Sequence, residues 1–251
     1  MPHTIIGRKP VIEALKARTP IDSILMLKGV HGAALQEITD SAKRSKIPIR
    51  IADREEFDEL SGNATTQGVI AFVSKRRESS VEDILKKVAA SDQPGFVLIL
   101  DEIEDPQNLG ALVRSAECAG VHGVIVPKHH SAPVNSAAVK ASAGATEHIP
   151  IAEVTNVVSE LESLKEQGYW IVGLDEEGDR EYSEVDYSTA IVLVIGNEGK
   201  GIRRLVREHC DFVARIPVFG KIQSLNASVA GGLAMYEVVR HRRGKQTKGQ
   251  S

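Results

Sequence analysis

Three short stretches hold residues of the kinds that bind and activate substrates. Asp105-Pro106-Gln107-Asn108-Leu109-Gly110 runs on to Arg114. Gly196-Asn197-Glu198-Gly199-Lys200-Gly201 follows an apolar run, and Ile216-Pro217 leads to Ser224-Leu225-Asn226-Ala227-Ser228. Glycine and proline let a chain bend sharply or approach a ligand closely. The amides, the carboxylate of Glu198 and the hydroxyl of Ser224 can orient substrate hydroxyls, and the fork of Arg114 suits a phosphate. Plainer readings stand beside these. Asn108, Ser224 or Asn226 could each cap a helix, Arg114 could be a surface helix residue, Glu198 a solvated turn carboxylate, Gly196 a strand-end turn, and Ile216 and Leu225 core.

Familiar nucleotide and metal signatures do not fit. No Gly-x-Gly-x-x-Gly loop follows the first strand of this region, and Gly199-Lys200 is followed by Gly201 rather than Ser or Thr and comes too early for a phosphate loop. The two cysteines, Cys118 and Cys210, have no histidines at zinc-ligand spacing, so no metal site is expected. His129-His130 reads as an exposed loop, Cys118 as buried helix packing, Cys210 as a turn residue, and Asp175 to Asp179 as a solvated acidic loop. Lys128 and Lys140 are candidate nucleic-acid contacts.

The elements that must position these loops alternate along the chain. Strands are predicted at Phe96–Leu100, Gly123–Val126, Tyr169–Leu174, Ala190–Ile195 and Phe212–Ile216. Helices are predicted over 109–119, 135–142, 156–167, 201–208 and 226–241. The strands are apolar without alternation, the pattern of a parallel sheet covered on both faces. In such sheets ligands sit beyond the strand C-termini, where all three stretches fall. Upstream, helices at Pro10–Ala17, Ala33–Ser45 and Glu55–Leu60 and strands at Ser23–Leu27, Ile47–Ile51 and Val69–Val73 make a smaller α/β unit. A polar stretch with one helix, Val81–Ala89, ends at the breaker Asp92-Gln93-Pro94-Gly95. The expected organisation is residues 1–75 as one domain, 76–94 as linker and 95–251 as a second domain, with a disordered tail over 242–251.

Length and composition bound the rest. The 251 residues, 42% hydrophobic and 26% charged, are globular in composition, enough for one large domain or two modest ones. No apolar run approaches the roughly 20 residues of a membrane helix. With no leader visible and few cysteines, a cytoplasmic location is expected. The net charge is −3, unevenly spread: residues 1–90 carry 15 basic and 12 acidic side chains, 91–237 carry 11 and 22, and 238–251 carry five basic and none acidic. A basic module beside an acidic one permits a polyanion at one end.

Taken together and in this order, the three stretches resemble the motifs of the SpoU family of S-adenosylmethionine-dependent RNA 2′-O-ribose methyltransferases. The N-terminal stretch Ile6-Gly7-Arg8-Lys9-Pro10-Val11-Ile12-Glu13-Ala14-Leu15 resembles the small substrate-binding domain of the members that methylate a guanosine of 23S rRNA. One departure is Thr66-Gln67-Gly68, where that domain often carries His-Gln-Gly, which puts an RNA-contact role for Thr66 in doubt. The resemblance implies a mixed α/β fold: an L30e-like α/β domain, then a trefoil-knotted methyltransferase domain around a mostly parallel sheet. It implies S-adenosylmethionine as cofactor, held by Gly196, Asn197, Gly199, Ile216 and Leu225, and catalytic roles for Asn108, Arg114, Glu198, Ser224 and Asn226. It also implies a 23S rRNA substrate and a homodimer through the second domain. Ala227, Val229, Leu233, Ala234 and Val238 of the last helix fit either core or interface. The same chemistry on tRNA or another rRNA site, or a non-catalytic RNA-binding role in ribosome assembly, are the alternatives.

Overall fold

The computed structural model describes residues 3–16, 19, 21–61, 66–73, 79–222 and 224–248. The chain divides into two compact units, residues 1–77 and 78–251.

The first unit runs β1 (His3–Ile6), α1 (Arg8–Lys16), β2 (Ile21–Leu27), α2 (Ala33–Arg44), β3 (Ile49–Ala52), α3 (Arg54–Ser61) and β4 (Val69–Val73). Its sheet has the order β1-β4-β2-β3, with β2 and β3 parallel and the other pairs antiparallel. Side chains alternate across it, as a strand requires. Ile24, Val69 and Ala71 pack with Val11, Leu35 and Ile38 of α1 and α2. Leu25 and Ile70 pack on the other side with Phe57 of α3. Strand β1, only four residues long, was not predicted from the sequence. Thr66-Gln67-Gly68 forms the turn into β4, with Gln67 and Gly68 at positive φ.

The second unit begins with α4 (Val81–Ala89). The helix starts at Ser80 because its hydroxyl accepts from the Asp83 amide while the Asp83 carboxylate takes the Ser80 amide. It buries Ile84 among Val97, Ile99 and Ile125, so the stretch read as linker includes a helix of this unit. Then follow β5 (Phe96–Asp101), α5 (Pro106–Cys118), β6 (Gly123–Pro127), α6 (Ser136–Ala141), β7 (Ile151–Val154), α7 (Val157–Glu166), β8 (Trp170–Leu174), β9 (Arg180–Glu181), β10 (Ile191–Gly196), α8 (Arg204–Glu208), β11 (Phe212–Arg215) and α9 (Ala227–Lys248). The seven strands lie in the order β7-β6-β5-β10-β8-β11-β9, and every pairing is parallel. Every residue of β5 and β10 is buried, as an apolar strand covered on both faces should be. Phe96, Leu98, Leu100, Leu193 and Ile195 pack under α5 and α9. Val97, Ile99, Val192 and Val194 face α4, α7 and α8.

Four expectations need correction. The strands β7 and β9, at the two edges, are too short to have stood out. Helix α8 starts at Arg204 rather than 201, because residues 197–203 turn back on themselves. Cys118 is exposed, since the buried face of α5 carries Leu109, Leu112, Val113 and Ala116. The tail expected to be disordered is helical through Lys248, and residues 249–251 lie outside the described set. Arg242 explains the last point. Its guanidinium donates to the carbonyls of Pro94, Gly95, Tyr187 and Thr189 and lies over the Phe96 ring. Burial pulls its pKa down to about 10. The guanidinium therefore stays charged at neutral pH, and its donors are satisfied by four backbone carbonyls.

Candidate active site

The three motif loops leave the C-terminal ends of β5, β10 and β11, the edge where an open parallel sheet binds ligands. In the ladder Gly196 of β10 stands opposite Asp101 of β5. Beyond it the chain makes a closed turn: the Asn197 amide donates to the Gly201 carbonyl (3.1 Å) and the Gly201 amide to the Asn197 carbonyl (2.9 Å). The turn is possible because Gly201 adopts φ +67°. Its return also needs Gly196 to lack a side chain, since a Cβ there would lie 2.3 Å from the Gly201 carbonyl and 2.4 Å from the Ile202 nitrogen.

Both ends of this turn are tied to the loop after β5. The Asn197 side-chain amide donates to the Glu102 carbonyl at 3.0 Å. Arg203 donates to Asp101 from its backbone (2.9 Å), Nε (2.8 Å) and Nη2 (2.5 Å). Asp101 is wholly buried, and Arg203 holds it in an ion pair. The bonds to Asp101 push the Arg203 pKa further up.

Glu198 stands in the middle of the turn and faces the two other motifs. Asn108 Nδ2 donates to Glu198 Oε1. Asn226 Nδ2 donates to Asn108 Oδ1 (3.1 Å) and approaches Glu198 Oε1 at 3.5 Å. The direction of this chain is set at α9, where Asn226 Oδ1 accepts from the Ser228 amide (2.9 Å), the Ser228 hydroxyl (2.5 Å) and the Val229 amide (3.4 Å). An oxygen used as a helix cap leaves the nitrogen of Asn226 to point at Asn108. Asn108 is not the cap of α5. That is Asp105, which accepts from the Gln107 amide with Pro106 as the first helical residue, leaving both polar atoms of Asn108 for the network.

Beside the network lies a cavity of about 250 Å³. Gly196, Asn197, Glu198, Gly199, Ile216, Ser224 and Leu225 line it, so seven of the ten residues singled out in the sequence share one space. Asn108 and Asn226 join them through Glu198. Arg114 does not. Six residues along α5 from Asn108, it is turned by about 120° around the helix axis, its side chain is exposed, and it does not reach Glu198.

The acidic loop after β8 is solvent-exposed at Glu176, Glu177 and Asp179, as expected, but it also borders the site. Asp175, Glu176 and Glu177 line the cavity. Asp175 Oδ2 lies 3.4 Å from the Ile202 amide, and Arg207 pairs with Glu177 at 2.7 Å, a bond that raises its pKa. Had β8 been placed beside β10, its C-terminal loop would have been sought at the same edge. His129, His130, Lys128 and Lys140 are exposed. Cys210 lies just past α8, where burial pushes its thiol pKa up to about 12. A second hollow, in the first unit, is lined by Ser23, Ile24, Leu25, Arg50 and Phe72 and offers a single ionisable group.

Known proteins resemble the chain over both of its units. The profile of the SpoU rRNA Methylase family matches residues 95–236, and one for RNA 2′-O ribose methyltransferase substrate binding matches residues 4–79. A Bacillus subtilis protein assigned to the TrmH family of tRNA/rRNA methyltransferases, YacO, is 41% identical over 238 residues, 95% of each chain. The crystal structure of the SpoU methyltransferase AviRb from Streptomyces viridochromogenes, in complex with AdoMet, superimposes with a TM-score of 0.67 at 26% identity, covering 96% of this chain and 90% of that one. That of an rRNA methyltransferase from Sinorhizobium meliloti does so with a TM-score of 0.63 at 25% identity, covering 95% and 86%.

Proposed function

The chain belongs to the SpoU rRNA methylase family, and on that premise we propose that it methylates the ribose 2′-oxygen of a guanosine in 23S rRNA, with S-adenosylmethionine as donor. The observation that carries the reading is the network of Glu198, Asn108 and Asn226 beside a cavity lined by the glycine turn.

The cavity fits the donor chemically. Ile216, Val218 and Leu225 offer apolar walls to an adenine, and Gly196 and Gly199 leave backbone open to a ligand. Asp175, Glu176 and Glu177 put negative charge near a molecule carrying a sulfonium and an ammonium. When bound, the cofactor supplies a methyl group on positively charged sulfur. The chain must hold the accepting oxygen in line with that methyl and exclude competing water. Glu198 has one oxygen committed to Asn108, and its other oxygen accepts from a ribose hydroxyl. Ser224, on the cavity wall, offers a further hydrogen bond. Arg114 does not give up its proton. Its exposed fork, outside the cavity, suits an RNA phosphate.

The match of residues 4–79 to a substrate-binding profile favours a large structured RNA. A homodimer is part of the proposal. Ala227, Ala234 and Val238 of α9 are core, whereas Val229 (51% exposed), Leu233 (43%) and Tyr236 (51%) line one open helical face at i, i+4 and i+7.

Labelled S-adenosylmethionine, incubated with the protein and either unmodified bacterial 23S rRNA or bulk tRNA, tests the reading. Label recovered as 2′-O-methylguanosine in 23S rRNA supports it. Label in tRNA keeps the chemistry and replaces the substrate, and absence of cofactor binding by calorimetry supports the non-catalytic alternative.

A further inference from the structure

The chain has five phenylalanines. Phe57 and Phe96 are 1% exposed, and Phe72 and Phe212 are partly covered. Phe219 is 95% exposed, and Ile222, three residues on, is 77% exposed. Both stand on the loop between β11 and α9. That loop enters the cavity wall at Ile216 and Val218 and returns to it at Ser224 and Leu225. Between its two bare side chains lie Gly220, whose surroundings are open space, and the exposed cation Lys221. Two bare apolar side chains on one short loop, beside a cavity, form a patch rather than a scattered residue, and such a patch points to a binding surface.

The loop is flanked by Val218 and Ser224, which line the same cavity as Glu198. A ribose placed against Glu198 carries its base only one glycosidic bond away. RNA bases presented out of a helix are bound by stacking on aromatic rings, because every base has a flat π face. We propose that residues 218–222 form a base-stacking subsite of the RNA substrate: Phe219 receives the face of an unstacked base at or next to the methylated nucleotide, and Lys221 meets the adjoining phosphate. This rests on the reading above that the substrate is the ribose of an RNA. Stacking tolerates any base, so the subsite holds the strand without choosing its sequence.

The test uses the full chain and Phe219→Ala, Phe219→Leu and Phe219→Trp. Five quantities are measured: affinity for a fluorescein-labelled single-stranded RNA oligonucleotide by anisotropy, KM and kcat on 23S rRNA, S-adenosylmethionine affinity by calorimetry, and mass by sedimentation. Loss of one stacked base weakens RNA binding by about 5- to 150-fold. Phe219→Ala is expected to show that loss and a raised KM, with cofactor affinity and mass unchanged. Phe219→Trp should retain binding, and Phe219→Leu should fall between. Unchanged RNA affinity and KM in Phe219→Ala overturns the subsite. So does a changed mass, which makes the loop an interface between copies, or a changed cofactor affinity, which makes it part of the donor pocket. If the parent protein methylates no RNA yet Phe219→Ala still loses oligonucleotide affinity, the transfer reading fails and the subsite stands.

Discussion

Replacing Arg203 by glutamine parts a buried carboxylate from its cation. Asp101 has no exposed surface and takes three hydrogen bonds from Arg203. The substitution spares the backbone bond and removes both guanidinium bonds. A hydrogen bond to a charged group contributes about 1.5–3 kcal/mol, and removing one partner of a buried ion pair costs about 3–5 kcal/mol. The Arg203 side chain is 43% exposed, so water reaches the vacated side and softens the loss. We expect about 2–3 kcal/mol, which lowers the melting midpoint of a unit this size by about 4–12 °C. Arg204→Gln is the control. Its pair with Glu208 lies on the surface of one helix turn, with side chains 77% and 51% exposed, and such pairs contribute about 0.3–0.5 kcal/mol. Thermal unfolding of the two variants beside the parent decides the matter. Because Arg203 ends the turn that carries Glu198, S-adenosylmethionine affinity should fall in Arg203→Gln and hold in Arg204→Gln. If Arg203→Gln melts as close to the parent as Arg204→Gln does, the Asp101 charge is not held as the structure implies and the reasoning is wrong.

Gly196→Ala forces a Cβ against the Gly201 carbonyl and the Ile202 nitrogen, both backbone. Calorimetry should show cofactor affinity reduced at least about tenfold, equivalent to about 1.4 kcal/mol. Asn226→Ala removes the cap of α9 and one member of the polar network, so it should cost about 1 kcal/mol of stability, read by denaturant unfolding, while kcat falls much further than that loss explains. His122 is partly desolvated, and its Nδ1 accepts from the Phe96 amide. Burial depresses its pKa below the usual 6.5. The unfolded chain therefore takes up the proton first. The stability His122 contributes is complete above pH 6.5 and drains away as the pH falls from there through the folded pKa. Melting curves should show that slope in the parent and a shallower one in His122→Gln. Iodoacetamide should label Cys118, which is exposed, and spare Cys210, whose thiol is pushed up to about 12. Mass mapping of the alkylated peptides checks both.

The apolar runs at 96–100 and 190–195 were legible as buried parallel strands because their composition admits no solvent-facing side, and that placed the motif loops at one edge. Gly196, Ile216 and Leu225 were grouped by the resemblance of their motifs to the family, since as local patterns they read equally as a strand-end turn and core. Pairing is not local. Only the tertiary structure inserts β10 between β5 and β8 and so brings the exposed acidic residues Glu176 and Glu177, with the less exposed Asp175, to the rim of the cavity. It also moves the cap of α5 from Asn108 to Asp105, freeing Asn108 to bind Glu198 across 90 residues. Arg114 shares a motif with Asn108 but is turned away by the helical period. The last helix shows the same division. Its start followed from Ser224 and Asn226 as candidate caps, of which the structure uses Asn226, whereas its continuation past 241 depends on four carbonyls at residues 94, 95, 187 and 189. No local pattern reveals those carbonyls, because they meet Arg242 only once the sheet has assembled.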